Sequence, residues 1–309
     1  MSNPPERNAP EPAASALNLI GGTPLVRITR IAATLNPNVQ VLAKLERGNP
    51  GGSVKDRPAF RMIEDAEVSG RLTRDKIILD STSGNTGIAY AMIGAVKGYR
   101  VKIVIPENAS IERKKIMAGF GAELVFSSPF DGADGAIRMA KEILNKDPAR
   151  YFQPDQYNNP SNPKAHELAT GPEIIAGTGG EITHFIACVG TGGTIMGTGR
   201  ALRSYRKTIK VISVHPDDAM HGIEGTKYLE DGAIVPGIFD KNFPDERLTA
   251  GTEAAFDMTK RLAREEGLFV GTSSGAALAV AMKVAEKLER GLIVVMFPDG
   301  GDRYLSRDI

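Results

Sequence analysis

Ile77-Ile78-Leu79-Asp80-Ser81-Thr82-Ser83-Gly84-Asn85-Thr86-Gly87 is an apolar run that breaks into hydroxyls, a glycine and an amide. A stretch of helical period follows, Thr86–Lys97, and then a second apolar run, Val101–Ile105. An apolar run with no wet face reads as a strand covered on both sides, and strands of that kind are parallel ones joined by crossover helices. The same alternation continues outward. Further strands are predicted at Val39–Leu45, Leu124–Phe126, His184–Val189, Val211–His215 and Leu292–Phe297. Helices are predicted at Pro58–Val68, Ile111–Gly119, Gly132–Leu144, Pro163–Ile175, Thr194–Arg203, Thr252–Glu266 and Ser274–Glu289. The fold class expected is α/β with mostly parallel twisted sheets. Asp147–Pro163, rich in Pro, Asn, Gln and Tyr, reads as the connection between two such units.

The 309 residues suffice for two domains, and 38 Lys+Arg against 37 Asp+Glu leave no basic field to hold a nucleic acid or an anionic membrane. Neither is expected as a partner. One cysteine, Cys188, rules out an internal disulfide framework and fits a reducing compartment, so a cytoplasmic location is expected. Met1–Ser15, with four prolines and two glutamates, reads as a mobile tail. No run of ~18 apolar residues predicts a spanning helix. His166, His184, His215 and His221 show no i, i+4 pairing, and no metal is expected. His184 and Cys188 read as core residues of a strand, and Arg113-Lys114-Lys115 as a solvated helix face.

Ligands of open parallel sheets bind beyond the carboxyl ends of the strands, which directs attention to the loops after Asp80, Val189, Val270 and Phe297. Ser81–Gly87 offers successive N–H groups and hydroxyls at a helix start, a receptor for a carboxylate or phosphate. Gly190-Thr191-Gly192-Gly193-Thr194 reads as a phosphate cup; it lacks both the Rossmann spacing and the P-loop lysine, which points to a small phosphorylated cofactor or to a tight turn. In Gly51-Gly52-Ser53-Val54-Lys55-Asp56-Arg57, a lysine at the positive end of a helix and beside Arg57 is disfavoured as the ammonium, a candidate nucleophile for a carbonyl. Alone, the segment also reads as a surface lysine followed by a first-turn acid. Gly271-Thr272-Ser273-Ser274-Gly275 alone says helix cap.

Taken in order, Gly-Ser-Val-Lys-Asp-Arg, Thr-Ser-Gly-Asn-Thr-Gly, Gly-Thr-Gly-Gly-Thr and Gly-x-Ser-Ser-Gly resemble the cysteine synthase family of fold type II pyridoxal phosphate (PLP) enzymes. The likeness runs from about Leu17 to Ser306, and Gln156-Tyr157-Asn158-Asn159-Pro160 looks most like the B-type branch. It implies two three-layer α/β domains like those of the tryptophan synthase β chain, with an N-terminal domain over residues 48–155 and a C-terminal one over 16–47 and 156–309. It further implies PLP on Lys55 through a Schiff base, with Lys55 as the proton carrier. Asn85 would hold the cofactor's phenolic oxygen, Gly190, Thr191, Gly192, Gly193 and Thr194 its phosphate, and Ser273 its pyridine nitrogen. Thr82, Ser83, Thr86 and Gln156 would bind the substrate's α-carboxylate.

A neutral hydroxyl at the pyridine nitrogen makes a weaker electron sink than a carboxylate and suits β-elimination. The resemblance thus implies L-cysteine from an O-activated serine, O-acetyl-L-serine first, and a sulfur donor. O-phosphoserine sulfhydrylase or cystathionine β-synthase activity is the enzymatic rival, and a catalytically silent binding paralogue the rival of another class. A homodimer is expected from the family. The chain ends at Ile309, so no regulatory module of the kind many cystathionine β-synthases carry is expected. Asp217–Tyr228, where family members differ, contains Lys227 and His221, the loop's candidate cations for a phosphate leaving group.

Overall fold

The structure, a computed structural model, describes residues 12–82, 84–230 and 235–306 of the chain. Ala16–Leu19 forms a 3-10 turn, followed by strands β1 (Leu25–Arg27) and β2 (Val39–Leu45). Then come α1 (Asp56–Val68), β3 (Ile77–Ser81), α2 (Asn85–Lys97), β4 (Arg100–Pro106), α3 (Ile111–Gly119), β5 (Glu123–Ser127), α4 (Gly132–Lys146) and β6 (Tyr151–Phe152). Helices α5 (Ser161–Ala165) and α6 (Gly171–Gly177) flank a π turn at His166–Thr170. The chain continues through β7 (His184–Cys188), α7 (Gly193–Tyr205), β8 (Lys210–Pro216), β9 (Glu246–Ala250), α8 (Thr252–Glu266), α9 (Thr272–Ala285) and β10 (Gly291–Phe297).

Among the described residues the strands make two sheets, a four-stranded one in the order β5-β4-β3-β6 and a six-stranded one in the order β1-β2-β10-β7-β8-β9. Every pairing is parallel except β1 with β2. The expected α/β class is therefore what forms. Both faces of the central strands are buried, and alternate residues serve different cores. In β3, Ile78 packs with α1 and α2, whereas Ile77 and Leu79 pack with Ala136 and Ala140 of α4. In β10, Ile293, Val295 and Phe297 join the α8–α9 side, and Val294 and Met296 the α7 side. Each such side chain stabilises by about 1.5–3 kcal/mol, which is why these runs carry no polar alternation. Leu17 and Ile20, in the segment assigned from sequence to the C-terminal unit, pack against the core of the four-stranded sheet.

Three strands were not visible in the sequence. β1 has three residues, β6 two, and β9 (Glu-Arg-Leu-Thr-Ala) holds one large apolar side chain, so none has a periodic signal. β6 lies inside the stretch read as a connection. The helix predicted over Pro163–Ile175 is α5, a π turn and part of α6. Pro172 has no N–H for the residue four before it, and the π turn sits immediately ahead of it. The expected tail, 1–15, falls mostly outside the described residues, which begin at 12.

Candidate active site

A cleft of about 1130 Å³ opens at the carboxyl ends of β3, β7, β8 and β10, and all four loops singled out from the sequence reach it. Lys55 lines it from the N-cap of α1. The segment before it is clamped to the end of β10: Val54 N donates to Pro298 O at 2.8 Å, and Ser53 bridges Asp299. Burial lowers the Lys55 amine below its usual range, opposed by the Asp299 carboxylate. Arg57 is not the cause, contrary to the sequence reading. Its guanidinium turns away, to Glu46 at 2.6 Å and Glu173 at 2.7 Å. Asp56, the first residue of α1, is pushed up to about 7 by burial although Gly51 N donates to it at 2.6 Å.

Thr82, Asn85 and Thr86, around the start of α2, also line the cleft. Thr82 Oγ1 accepts from Gly84 N at 3.0 Å, and Thr86 Oγ1 donates to Gln156 Oε1 at 2.8 Å, so Gln156 lies beside the start of α2. Ser83 lies outside the described residues. The Asn85 amide spans two groups: Nδ2 donates to Asp299 Oδ2 at 2.6 Å, and Oδ1 accepts from Arg303.

Gly190, Thr191, Gly192 and Thr194 line the cleft where α7 begins, while Gly193 opens α7 beneath the Asn162 side chain. A Cβ on Gly190 would lie 2.5 Å from Gly225 O, and Gly192 has φ +87° with the Phe239 side chain beside it. These two positions require glycine. Asn162 was missed by the sequence reading; its Nδ2 donates to Gln156 O at 2.7 Å and to Thr191 Oγ1 at 3.2 Å, tying the two segments together. Thr194 Oγ1 lies 3.4 Å from Nε2 of His166, which burial keeps neutral, well below the usual histidine range.

Ser273, in the first turn of α9, is 4% exposed and lines the cleft. Its carbonyl accepts from Cys188 Sγ at 3.2 Å, so Cys188 is a cleft residue as well as a strand residue; burial pushes its thiol up to about 12. Arg113 is the main correction. Read as part of a solvated face, it is 2% exposed, lines the cleft and meets Glu224 at 2.9 Å. Its helix carries Lys114 and Lys115 as well, and a charge run alone does not reveal which member points inward. Lys227 and His221 both reach the cleft; Lys227 Nζ lies 3.5 Å from Asp134 and 5.5 Å from the centre of the Tyr157 ring.

This arrangement brings a desolvated amine, an anion-receptive helix N-terminus and a neutral hydroxyl to one cleft. Residues 16–299 match the family model described as pyridoxal-phosphate dependent enzyme. The cysteine synthase of Aquifex aeolicus is 50% identical over 98% of this chain and 93% of its own. The chain belongs to the cysteine synthase family of pyridoxal-phosphate dependent enzymes. Cysteine synthase B of Escherichia coli is 42% identical over 94% of each chain. The crystal structure of the Entamoeba histolytica cysteine synthase superimposes with a TM-score of 0.91 at 38% identity, covering 100% of this chain and 92% of that one.

The cofactor of the family is PLP, and the cleft fits it. The turn at Gly190–Thr194 has no room for side chains at Gly190 and Gly192 and ends on the thirteen-residue helix α7, a setting for a phosphate. The Lys55 amine, disfavoured as the ammonium by burial, suits an aldehyde. Among the described residues no group of three or more His, Cys, Asp or Glu is placed to hold a metal, and no helix is long and apolar enough to cross a membrane.

Proposed function

We propose that this chain makes L-cysteine from an O-activated L-serine, with O-acetyl-L-serine as the leading donor and sulfide as the minimal acceptor. The observation that carries the reading is the desolvated Lys55 amine in one cleft with Asn85, the Gly190–Thr194 turn and Ser273. Bound PLP supplies an electron sink for the substrate's α-carbon. Lys55 would hold it covalently, Asn85 and Ser273 would hold its ring, and Gly190, Thr191, Gly192, Gly193 and Thr194 its phosphate.

The chain's own groups do the rest. Thr82, Ser83, Thr86 and Gln156 would fix the substrate's α-carboxylate at the N-terminus of α2, where the helix dipole favours an anion. The Thr86–Gln156 hydrogen bond orients both side chains before substrate arrives. Lys55, released from the cofactor, takes the α-proton at Nζ; burial disfavours its ammonium form and so raises the share of amine free to act as the base. Acetate leaves from the β-carbon, the sulfur nucleophile adds there, and Lys55 returns the proton. Ser273, which is neutral, leaves the ring nitrogen without a counter-charge, so charge is not stored on the α-carbon and departure of the β-substituent is favoured. At the mouth Lys227 is already matched by Asp134, which favours a neutral acetyl over a dianionic phosphate.

Residues 48–155 would act as one unit that closes on residues 16–47 and 156–309 when the α-carboxylate binds, in a cytoplasmic homodimer. What supports the dimer and the location is family membership and a single cysteine; sedimentation at micromolar protein tests the first. For the activity, the purified protein should be yellow, and borohydride should fix the cofactor to Lys55. Lys55→Ala should lose that linkage and turnover. Trapping on Lys44 or Lys102 would refute the assignment. Mass spectrometry of products from O-acetylserine with sulfide or with homocysteine separates cysteine from cystathionine synthesis.

A further inference from the structure

We propose that Asp299 is a positioning residue for the pair that holds the cofactor: its carboxylate fixes the Asn85 amide with an N–H directed into the cleft and supplies the negative charge that faces Lys55. The proposal rests on Lys55 and Asn85 holding PLP. Asp299 is 1% exposed and lies just beyond β10, at the cleft wall. Its Oδ2 accepts from Asn85 Nδ2 at 2.6 Å and from the Tyr304 hydroxyl at 2.6 Å. On the other side of the same amide, Arg303 Nη1 donates to Asn85 Oδ1. An acceptor against Nδ2 and a donor against Oδ1 leave one orientation, because a flipped amide would set acceptor against acceptor and donor against donor. Of the two N–H groups on Nδ2, Asp299 takes one; the other has no acceptor among the described residues, and Asn85 lines the cleft.

The second oxygen, Oδ1, is buried and has no hydrogen-bond partner among the described residues. It lies where a Cβ on Gly271 would come within 2.2 Å, next to the turn that starts α9 and carries Ser273. A buried carboxylate oxygen left bare keeps its charge directed at the surrounding groups. Those groups are Lys55 before α1, Arg113 on α3, Tyr304 and Arg303 in the C-terminal turn, and Asn85 on α2. The bridge between Ser53 and Asp299 and the Val54 N–Pro298 O hydrogen bond set Asp299 next to the segment that carries Lys55, and both side chains line the cleft; its charge there opposes the desolvation of the amine, which without it loses its proton still more readily.

The test uses the full-length chain with PLP removed and restored. Isotope-coded acetic anhydride across pH 6–10, read by peptide mass spectrometry, gives the midpoint for Lys55 acylation, and absorbance titration gives PLP affinity. Asp299→Asn keeps the shape and an acceptor oxygen but removes the charge. Its Lys55 midpoint should fall by about one pH unit. Asp299→Ala should weaken PLP by about tenfold or more, and combined with Asn85→Ala it should be no weaker than the poorer single variant, because one acts through the other. An unshifted midpoint in Asp299→Asn, or strictly additive losses in the double variant, overturns the role of Asp299. If Asp299→Ala does not fold, the Asp299→Asn midpoint decides. Failure of the underlying reading looks different: PLP would not protect wild-type Lys55 from acylation, and Asn85→Ala would bind PLP normally, which removes the proposal with it.

Discussion

At the scale of single residues, the cleft separates two kinds of position. Ser273 is of the first kind: proposed to face the ring nitrogen of the cofactor, it would act through the neutrality of its hydroxyl. Ser273→Asp should place a negative charge at the ring nitrogen of bound PLP, lengthen the life of carbanionic species and lower β-replacement turnover by about tenfold or more, since tenfold corresponds to only 1.36 kcal/mol of barrier. Stopped-flow spectra and kcat check it together; an unchanged spectrum and rate would remove Ser273 from the electronic account. Lys227 and His221 belong to the other kind, where a partner decides. Lys227 has Asp134 within 3.5 Å, and burial lowers His221 below its usual range, so at neutral pH neither offers an uncompensated charge. kcat/KM for O-acetylserine should therefore change little in Lys227→Ala and His221→Ala. For O-phosphoserine, a loss of about ten- to hundredfold in either variant would show a direct charge-assisted contact with the phosphate and reverse the preference argued for acetyl.

At the scale of elements, the turn between β7 and α7 is held by what a side chain would strike. Gly190→Ala puts a methyl group 2.5 Å from a backbone oxygen at Gly225, and backbone cannot swing aside as a side-chain tip can. The variant should still fold around the buried β7 but bind PLP at least tenfold more weakly, with Gly225 and the loop about it displaced; normal cofactor affinity by absorbance titration would mean that the turn has slack. Elements such as this one were legible in the sequence because glycine spacing and apolar runs are local signals. The boundaries of β2, α3 and α8 matched to the residue for the same reason. β1, β6 and β9 were not legible, because short strands take their identity from the neighbour they pair with. Asn162 and Asp299 escaped notice, and Arg113 was misread as solvated, on similar grounds. Each is recognised by a partner far along the chain, Glu224, Thr191 and Asn85 respectively, and no local pattern encodes such a pairing.

At the scale of the whole molecule, a buried charge cluster joins the N-terminal segment to both sheets' helices. Glu173 of α6 meets Lys44 of β2 at 2.6 Å and Arg57 of α1 at 2.7 Å, and Arg57 continues to Glu46 and to Thr23 Oγ1. Gly22 N adds a hydrogen bond to Glu173 at 3.0 Å. Arg57, through its hydrogen bonds and charge, and then Lys44 overcome the effect of burial and hold the Glu173 carboxyl down at about 2. An acid whose folded value is depressed contributes stability in full above its unfolded value, near 4.3, and loses it as the pH falls through the folded value. Converted directly the depression is at most about 3 kcal/mol, and solvent reaching the half-buried carboxylate screens part of it away. Glu173→Gln should accordingly lower Tm by about 2–4 °C at pH 7, leaving Lys44 and Arg57 buried with one counter-charge fewer. As the pH falls from about 4.5 toward 2, wild-type Glu173 becomes neutral too and the two proteins should converge. Acid also weakens the wild type through His215, which burial holds at about 4; that contribution fades as the pH falls from the ordinary histidine value toward 4, but it is common to both proteins and cancels in their difference. Urea unfolding of the pair at pH 7, 5, 4 and 3 is the measurement. A stability difference that stays constant down to pH 3 would mean that the Glu173 contact holds the units together by shape and packing, with no contribution from its charge.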